Sequence, residues 1–471
     1  MSPNEDTLIT QKYIALGPLE EALALTTNSN SKNIILGAFD LTGHLDLEAM
    51  KKTVSSLGDK FPHLRTCLQE IKIRGRHYLR WDYLNKLEIP LSISDLSDAD
   101  RSRSGLDMLL SCLEPSLDRD RNLFKDPAIE FHLVKLNQDH HLLACILGHV
   151  AADAITLAEI MKEFMAKYHE LVIGEKPAFS CYAVSVSTSR KRAVRQKSTV
   201  LIDYWETLTQ AMIPYARCSL PMGTGIPGDF SEHYIKRLFS VEETEGVVSK
   251  AVKIRAPFVD YLLAALSLAV DRWNEIRKVE SSTLSASLTV NMQGRFQDRD
   301  GPNNDSILYF QFSQDQRKDF ETLARLVSRF RIKQFRRQMD LKYSKAMAKL
   351  NNFLSIFPFR IRQEAYLKIL QRHQTSFALG FMGVLWPESD GRRISGDSYL
   401  ASVGGLNITE AHGMAYRIVS STPLYLTAYF FRKRLNLILS AAAWHFTKEE
   451  AQTFLDLVVD ILESQAHGES H

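Results

Sequence analysis

The sequence predicts an α/β protein made of two layered halves, and three observations carry that reading. At 471 residues the chain exceeds what a single core of ordinary size holds. Strand-like and helix-like segments alternate along it, with no short-period repeat and no low-complexity tract. The two halves also carry similar inventories of segments, which suits two related α/β layers packed side by side.

In chain order, NIILGAFDLTG (33–43) is a β-branched, apolar strand closed by a glycine turn. HLDLEAMKKTVSSLGDKF (44–61) is a helix with Leu47, Met50, Val54 and Leu57 on one stripe. AIEFHLVKLNQDHHLLACILGHV (128–150) is two strands joined by the polar turn Asn137-Gln138-Asp139, and the second arm is apolar enough to be central. That arm ends at His149, and a helix runs from Ala154 to about residue 170. A basic segment without a hydrophobic stripe, STSRKRAVRQKSTV (187–200), marks the crossover and divides the chain into 1–185 and 186–471. The second half opens with a strand at 233–241 and a long apolar helix at 256–273. A strand at 285–295, a basic helical stretch and a strand at 375–385 follow, then two closing strands within 415–439 and a helix at 447–464.

Composition narrows the function classes. With 45% hydrophobic and 24% charged residues and a net charge of +3, the chain reads as globular and not as a general nucleic-acid binder. Cys67, Cys112, Cys145, Cys181 and Cys218 are scattered, odd in number and lack CxxC spacing, so neither a disulfide framework nor a metal site is expected. Together with an N-terminus lacking signal-peptide character and no apolar run near the roughly 20 residues of a membrane span, this predicts a cytoplasmic protein.

The chemistry concentrates in LLACILGHVAADAITLAEIMKEF (142–164), where a buried strand stops at His149 and a helix begins near Asp153. A lone histidine at a strand end is by default a structural hydrogen-bonder. Gly148 beside it, the small Ala151 and Ala152, and the strand-to-helix turn favour a reactive group. Asp153 suits the helix N-terminus, where a carboxylate faces the helix dipole. His140 and His141 follow a turn and read as solvated, and Gly404 and Gly405 read as a loop, since no GxGxxG pattern accompanies them.

These residues resemble a known pattern. His149-Val-Ala-Ala-Asp153, at the end of a hairpin's second arm, is similar to the HxxxD motif of the thioester-dependent acyltransferases, which include chloramphenicol acetyltransferase, plant acyltransferases and peptide-synthetase condensation domains. Flanking segments match in order: GHLDLEAMKKTVSSLGDKFPHLRT (43–66), the hairpin led by LFKDPAIEF, the helix APFVDYLLAALSLAVDRW, the strand LTVNMQGR with its Asn-x-x-x-Arg, TSFALGFMGVL, and the closing strand-strand-helix. The chain departs from the commoner HHxxxDG form by having Gly148 and Ala154.

The resemblance implies two chloramphenicol acetyltransferase-like subdomains, each a mixed sheet with flanking helices, with an active-site tunnel between them. It implies transfer of an acyl group from coenzyme A or an acyl carrier protein to a small-molecule hydroxyl or amine. His149 is the general base, attack is direct, and no acyl-enzyme forms. Asp153 pairs with Arg295 as structural support, Ser376 is a candidate oxyanion donor, and Gly148, Asn291 and Gly383 are candidate channel residues. Acyl-coenzyme A or acyl-phosphopantetheine is a co-substrate; no resident cofactor or metal is expected. A free-standing condensation enzyme and an inactive carrier-binding homologue are the rivals.

The run 325–350, with nine Lys or Arg and one acid, reads first as a solvated helix face. The functional readings are a landing surface for coenzyme A phosphates or an acidic carrier protein, or a peripheral membrane contact through Leu326, Phe330 and Phe335.

Overall fold

The computed structural model describes residues 13–28, 30–82, 86–96, 105–177, 216–292, 303–370, 372, 374–387, 399–417 and 422–464. Arg295 and the basic segment 187–200 lie outside them. The first half runs through β1 (Tyr13–Ala15), α1 (Pro18–Thr26), β2 (Ile34–Thr42), α2 (Leu47–Lys60), β3 (Cys67–Ile73), β4 (Arg76–Asp82), β5 (Leu91–Asp95) and α3 (Gly105–Leu117). It ends with β6 (Ile129–Lys135), β7 (His140–Gly148) and α4 (Ala154–Ile173). The second half holds β8 (Glu232–Leu238), α5 (Val241–Lys253), α6 (Phe258–Ile276), β9 (Thr283–Asn291), β10 (Asp305–Ser313), α7 (Phe320–Arg336), α8 (Met339–Leu354) and α9 (Phe359–Leu370). It closes with β11 (Phe377–Val384), β12 (Ser402–Val403), β13 (Leu406–Tyr416), β14 (Leu424–Phe431), β15 (Arg434–Ala442) and α10 (Lys448–Ser464).

Two six-stranded mixed sheets carry the fold. The first has the order β12-β13-β2-β7-β6-β5, with β5 parallel to β6 and the other pairs antiparallel. The second has the order β10-β9-β11-β14-β15-β8, with β11 parallel to both neighbours. A small sheet, β1-β4-β3, stands apart. Each large sheet lies in its own apolar core. α2 and α4 cover the first, and α6, α7 and α10 pack in the second.

Local chemistry explains the helices that matter most. α2 starts at Asp46, whose carboxylate accepts from Ala49 N at 2.9 Å, and it buries Met50, Val54 and Leu57. α6 is apolar around most of its circumference and buries thirteen residues. Its buried Asp260 takes two hydrogen bonds from Arg331, at 2.6 and 3.0 Å, a forked geometry that suits guanidinium and carboxylate.

Several expectations are corrected. The division at residue 185 does not separate the sheets, because β12 and β13 come from the second half and extend the first sheet along β2. β13 begins ahead of the closing strands expected within 415–439; His412 and Gly413 interrupt its apolar run, yet both are covered once it pairs. β10 was absent from the sequence reading. His141 is buried and not solvated, whereas His140 remains 36% exposed at its side chain with Nε2 2.6 Å from Asp40. Gly404 and Gly405, both with positive φ, form the turn between β12 and β13.

The basic run becomes α7 and α8. Of the three apolar residues named for a membrane contact, Phe330 and Phe335 pack against the second core and Leu326 is partly buried. Among the described residues no helix is long and apolar enough to cross a membrane.

Candidate active site

Three strand ends converge where β7 stops. The β2–β7 register sets Ile34 opposite Gly148. The next residue is then held by backbone, with His149 N donating to Asn33 O at 2.7 Å and Asn33 N donating to Arg417 O at 3.1 Å. The turn that follows is tight, with Ala151 N donating to Gly148 O at 2.8 Å. Val150, Ala151 and Ala152 are buried, so only small or apolar side chains fit between the imidazole and α4.

His149 is half-buried, and its Nδ1 lies 2.9 Å from Ala152 O. A carbonyl only accepts, so Nδ1 carries the hydrogen and Nε2 keeps a free lone pair. Burial lowers the imidazole pKa from its ordinary value, and the Ala152 carbonyl and the Asp153 charge oppose that shift only in part. The ring is therefore neutral at pH 7, as a general base must be.

Asp153 caps the helix and ties the lobes together. It is 1% exposed, and its Oδ1 accepts from Thr156 N at 2.7 Å at the start of α4. Its Oδ2 accepts from Asn304 N at 2.8 Å and from Asn291 Nδ2 at 3.3 Å, both in the second lobe. Asn303 completes the clasp: its Nδ2 donates to His149 O at 2.7 Å. Both carboxylate oxygens are thus taken up by the turn and the second lobe, and Asp153 lines neither of the two cavities beside His149. Its expected partner Arg295 is outside the described residues.

Two cavities, of about 140 and 90 Å³, share His149, Thr289, Asp305, Ala415 and Tyr425 as wall. The smaller is largely apolar, with Leu36, Leu157, Phe381, Met382 and Met414. The larger is mixed, with Leu23, Glu232, Ser287, Tyr309 and Ser440. Glu232 also lines an open cleft of about 450 Å³ with Asp107, Glu114, His233 and Lys448, so surface and interior lie on two sides of one residue. The imidazole stands between compartments rather than in a solid core.

The other sequence candidates fall unevenly around this wall. Asn291 lines the smaller cavity while holding Asp153. Gly148 does not line either cavity, and a Cβ there would make only ordinary contacts, 3.6 Å to Ala128 O. Gly383 sits at φ +71 where β11 shifts register, and it too is outside both walls. Ser376 is corrected as an oxyanion donor. Its Oγ donates to Ser219 O at 2.6 Å and accepts from Ser285 N at 3.0 Å. From this stretch Ala378, Gly380, Phe381 and Met382 line the cavities, and Ser376 lines neither.

Sequence reading missed Thr289, Asn303, Asp305 and Tyr425. The stretch Gly-Pro-Asn-Asn-Asp (301–305) is a turn signal leading into a strand, and it could have flagged Asn303 and Asp305. Nothing local marks Tyr425, whose place depends on Gly380. A Cβ at Gly380 would stand 2.5 Å from the Tyr425 hydroxyl, so the glycine leaves the phenol its room.

Comparison with known proteins bears on the family and the fold. The condensation-domain family model matches residues 24–286, more than half of the chain. Cyclosporin synthetase simA of Tolypocladium inflatum is 29% identical over 138 residues, which are 29% of this chain and 1% of that protein. The nonribosomal peptide synthetase hkm11 of Aspergillus hancockii is 25% identical over 112 residues, 23% of this chain and 8% of that protein. The chain therefore spans a small part of the length of these relatives.

Among solved structures, the trichothecene 15-O-acetyltransferase TRI3 of Fusarium sporotrichioides superposes with a TM-score of 0.67 at 12% identity, covering 97% of each chain. The starter condensation domain of rhizomide synthetase RzmA, bound to C8-CoA and Leu-SNAC, gives 0.63 at 14% identity, covering 99% of this chain and 97% of that one. These likenesses establish the chloramphenicol acetyltransferase-like fold. With the family match over most of the first lobe and into the second, they make this chain a member of the condensation-domain family.

Proposed function

We propose that this chain transfers an acyl group from a coenzyme A or carrier-protein thioester to a small-molecule hydroxyl or amine, with His149 as base. Family membership supports acyl transfer in general. The donor, the acceptor and the role of the histidine are the further step. The observation that carries it is the imidazole itself, with Nδ1–H fixed on Ala152 O and the ring forming a wall common to both cavities. Such a base takes the proton of an acceptor as it attacks the thioester carbonyl and returns it to the departing thiolate.

The family favours a carrier-bound donor, and the exposed Arg329, Lys333, Arg336, Lys345 and Lys349 offer a basic face to phosphate or an acidic carrier. A mass-spectrometric screen of an acyl-coenzyme A panel and matching acyl-carrier proteins, against alcohols and amines, separates these donors. Activity with acyl-coenzyme A and none gained from carrier protein excludes the carrier-dependent form. Carrier binding without any thioester consumption that His149→Ala abolishes would make the chain an inactive binding homologue.

A further inference from the structure

We propose that Asp305 is the carboxylic-acid donor that stabilises the oxyanion of this reaction, acting from the second lobe across the cavity wall that it shares with His149. The inference rests on the acyl-transfer reading above and names the electrophilic half of the same site.

Its position is held as closely as that of the base. Asp305 is the first residue of β10 and pairs in register with Asn291. The two residues before it make the clasp on the first lobe, Asn303 to His149 O at 2.7 Å and Asn304 N to Asp153 Oδ2 at 2.8 Å. Two hydrogen bonds within two residues thus set where Asp305 stands relative to the imidazole. It lines both cavities, as do Thr289 and Tyr425, whose hydroxyls lie 3.4 Å apart.

The carboxyl group is not used by the fold. The hydrogen bond seen at this residue is from its backbone N to Asn303 Oδ1, at 3.3 Å, and among the described residues no group hydrogen-bonds its carboxyl oxygens. A polar group left without a protein partner in a cavity wall is one that a ligand can engage. The titratable groups around it are Asp153 at the α4 cap, His149 at the end of β7, Tyr425 on β14, Tyr309 on β10 itself and Glu232 on β8. Among the described residues no lysine or arginine lines either cavity. Burial first, and the Asp153 charge second, hold the Asp305 pKa well above the ordinary carboxylate range. A carboxyl kept neutral is a donor, as an apolar site makes it in ketosteroid isomerase.

The step balances without an added reactant. As the acceptor oxygen or nitrogen bonds to the thioester carbon, its proton passes to His149 Nε2 and the carbonyl π pair moves onto oxygen. Asp305 donates a hydrogen bond to that oxygen and keeps its own proton. On collapse the carbonyl re-forms, the carbon–sulfur bond breaks, and the thiolate leaves with the electron pair and takes the proton from the imidazolium. Ser376, bonded to Ser219 O and Ser285 N, is not available for this task.

The test pairs Asp305→Asn, which keeps an N–H donor, with Asp305→Ala, which does not. Both are assayed on the panel thioester that wild type consumes fastest in a His149-dependent way. Asp305→Ala should lower kcat by about 10²–10³-fold, the cost of one oxyanion donor, with the thioester KM changed by less than about threefold. Asp305→Asn should stay within about tenfold of wild type and lack the alkaline fall in kcat expected of wild type on ionisation of the Asp305 carboxyl.

Independently, carbon-13 NMR of aspartate-labelled enzyme, with the Asp305 signal assigned by its absence in Asp305→Asn, should show a protonated carboxyl at pH 7. Three results would overturn the proposal: ionisation below about pH 5, Asp305→Ala within about threefold of wild type, or Asp305→Asn as inactive as Asp305→Ala with an unshifted pH profile. Absence of any His149-dependent turnover would instead sink the acyl-transfer reading, and the NMR titration would still judge the acid.

Discussion

The two walls of the cavity are built on opposite plans. On the first-lobe side, one short stretch from Gly148 to Asp153 supplies the imidazole, the turn and the helix cap, and backbone hydrogen bonds hold it. On the second-lobe side, Thr289, Asn291, Asn303, Asp305 and Tyr425 arrive on or beside three different strands, and each points a side chain at the seam. A contiguous wall concentrates function in one residue, whereas a dispersed wall spreads positioning over several. Substitutions on the two sides should therefore differ in size and in kind.

The largest effect is expected at His149. His149→Ala should reduce kcat by about 10²–10⁴-fold while the melting temperature stays close to wild type; stopped thioester assays and calorimetry check this. A variant that melts far lower would mean the ring is chiefly structural. The pH profile sharpens the point. Burial disfavours the imidazolium, so the base form persists below the ordinary value of 6.5, and kcat/KM should fall only at pH lower than that. An acidic limb above 6.5 would contradict the buried, desolvated ring.

Asp153→Ala comes next and should act on both lobes. It removes the α4 cap and leaves Asn304 N without its acceptor, so urea unfolding should show a loss of about 1–3 kcal/mol together with reduced kcat. Asp153→Asn keeps a capping oxygen and should recover part of the stability.

On the dispersed wall, Asn303→Ala removes the donor to His149 O. It should lower kcat by about tenfold, with little change in stability, if the clasp only positions the turn. An effect as large as that of His149→Ala would erase the contrast between the walls. The smallest effect is expected for Ser376→Ala: kcat within about threefold of wild type and about 1 kcal/mol lost in unfolding, since its hydroxyl bonds Ser219 and Ser285. A collapse of kcat would return it to the site.

The same contrast explains what could be read in the chain. Alternation of apolar strands with striped helices gave the α/β class and placed β2, β7, α2, α4 and α6 close to their observed limits. These elements are long and strongly patterned, so their own residues decide them. β10 and β13 were not seen, because polar residues interrupt them and their pairing depends on distant partners. β13 lies against β2, with Asn407 opposite Thr42 and Tyr416 opposite Ile34, far apart in the chain. The expected break at residue 185 overlooked it for the same reason.

Local chemistry along the chain specifies that a histidine ends a buried strand, that an aspartate begins the next helix, and that both lie in a fold of two α/β layers. Strand period and capping chemistry are local, so a few neighbouring residues suffice to specify them. Only the tertiary structure decided what faces the imidazole. Asp305, Thr289 and Tyr425 become neighbours of His149 because the second sheet delivers them to the seam, and the Ser376 hydroxyl is engaged by Ser219 and Ser285 instead. Contacts across two sheets depend on register and lobe packing, which no local pattern encodes.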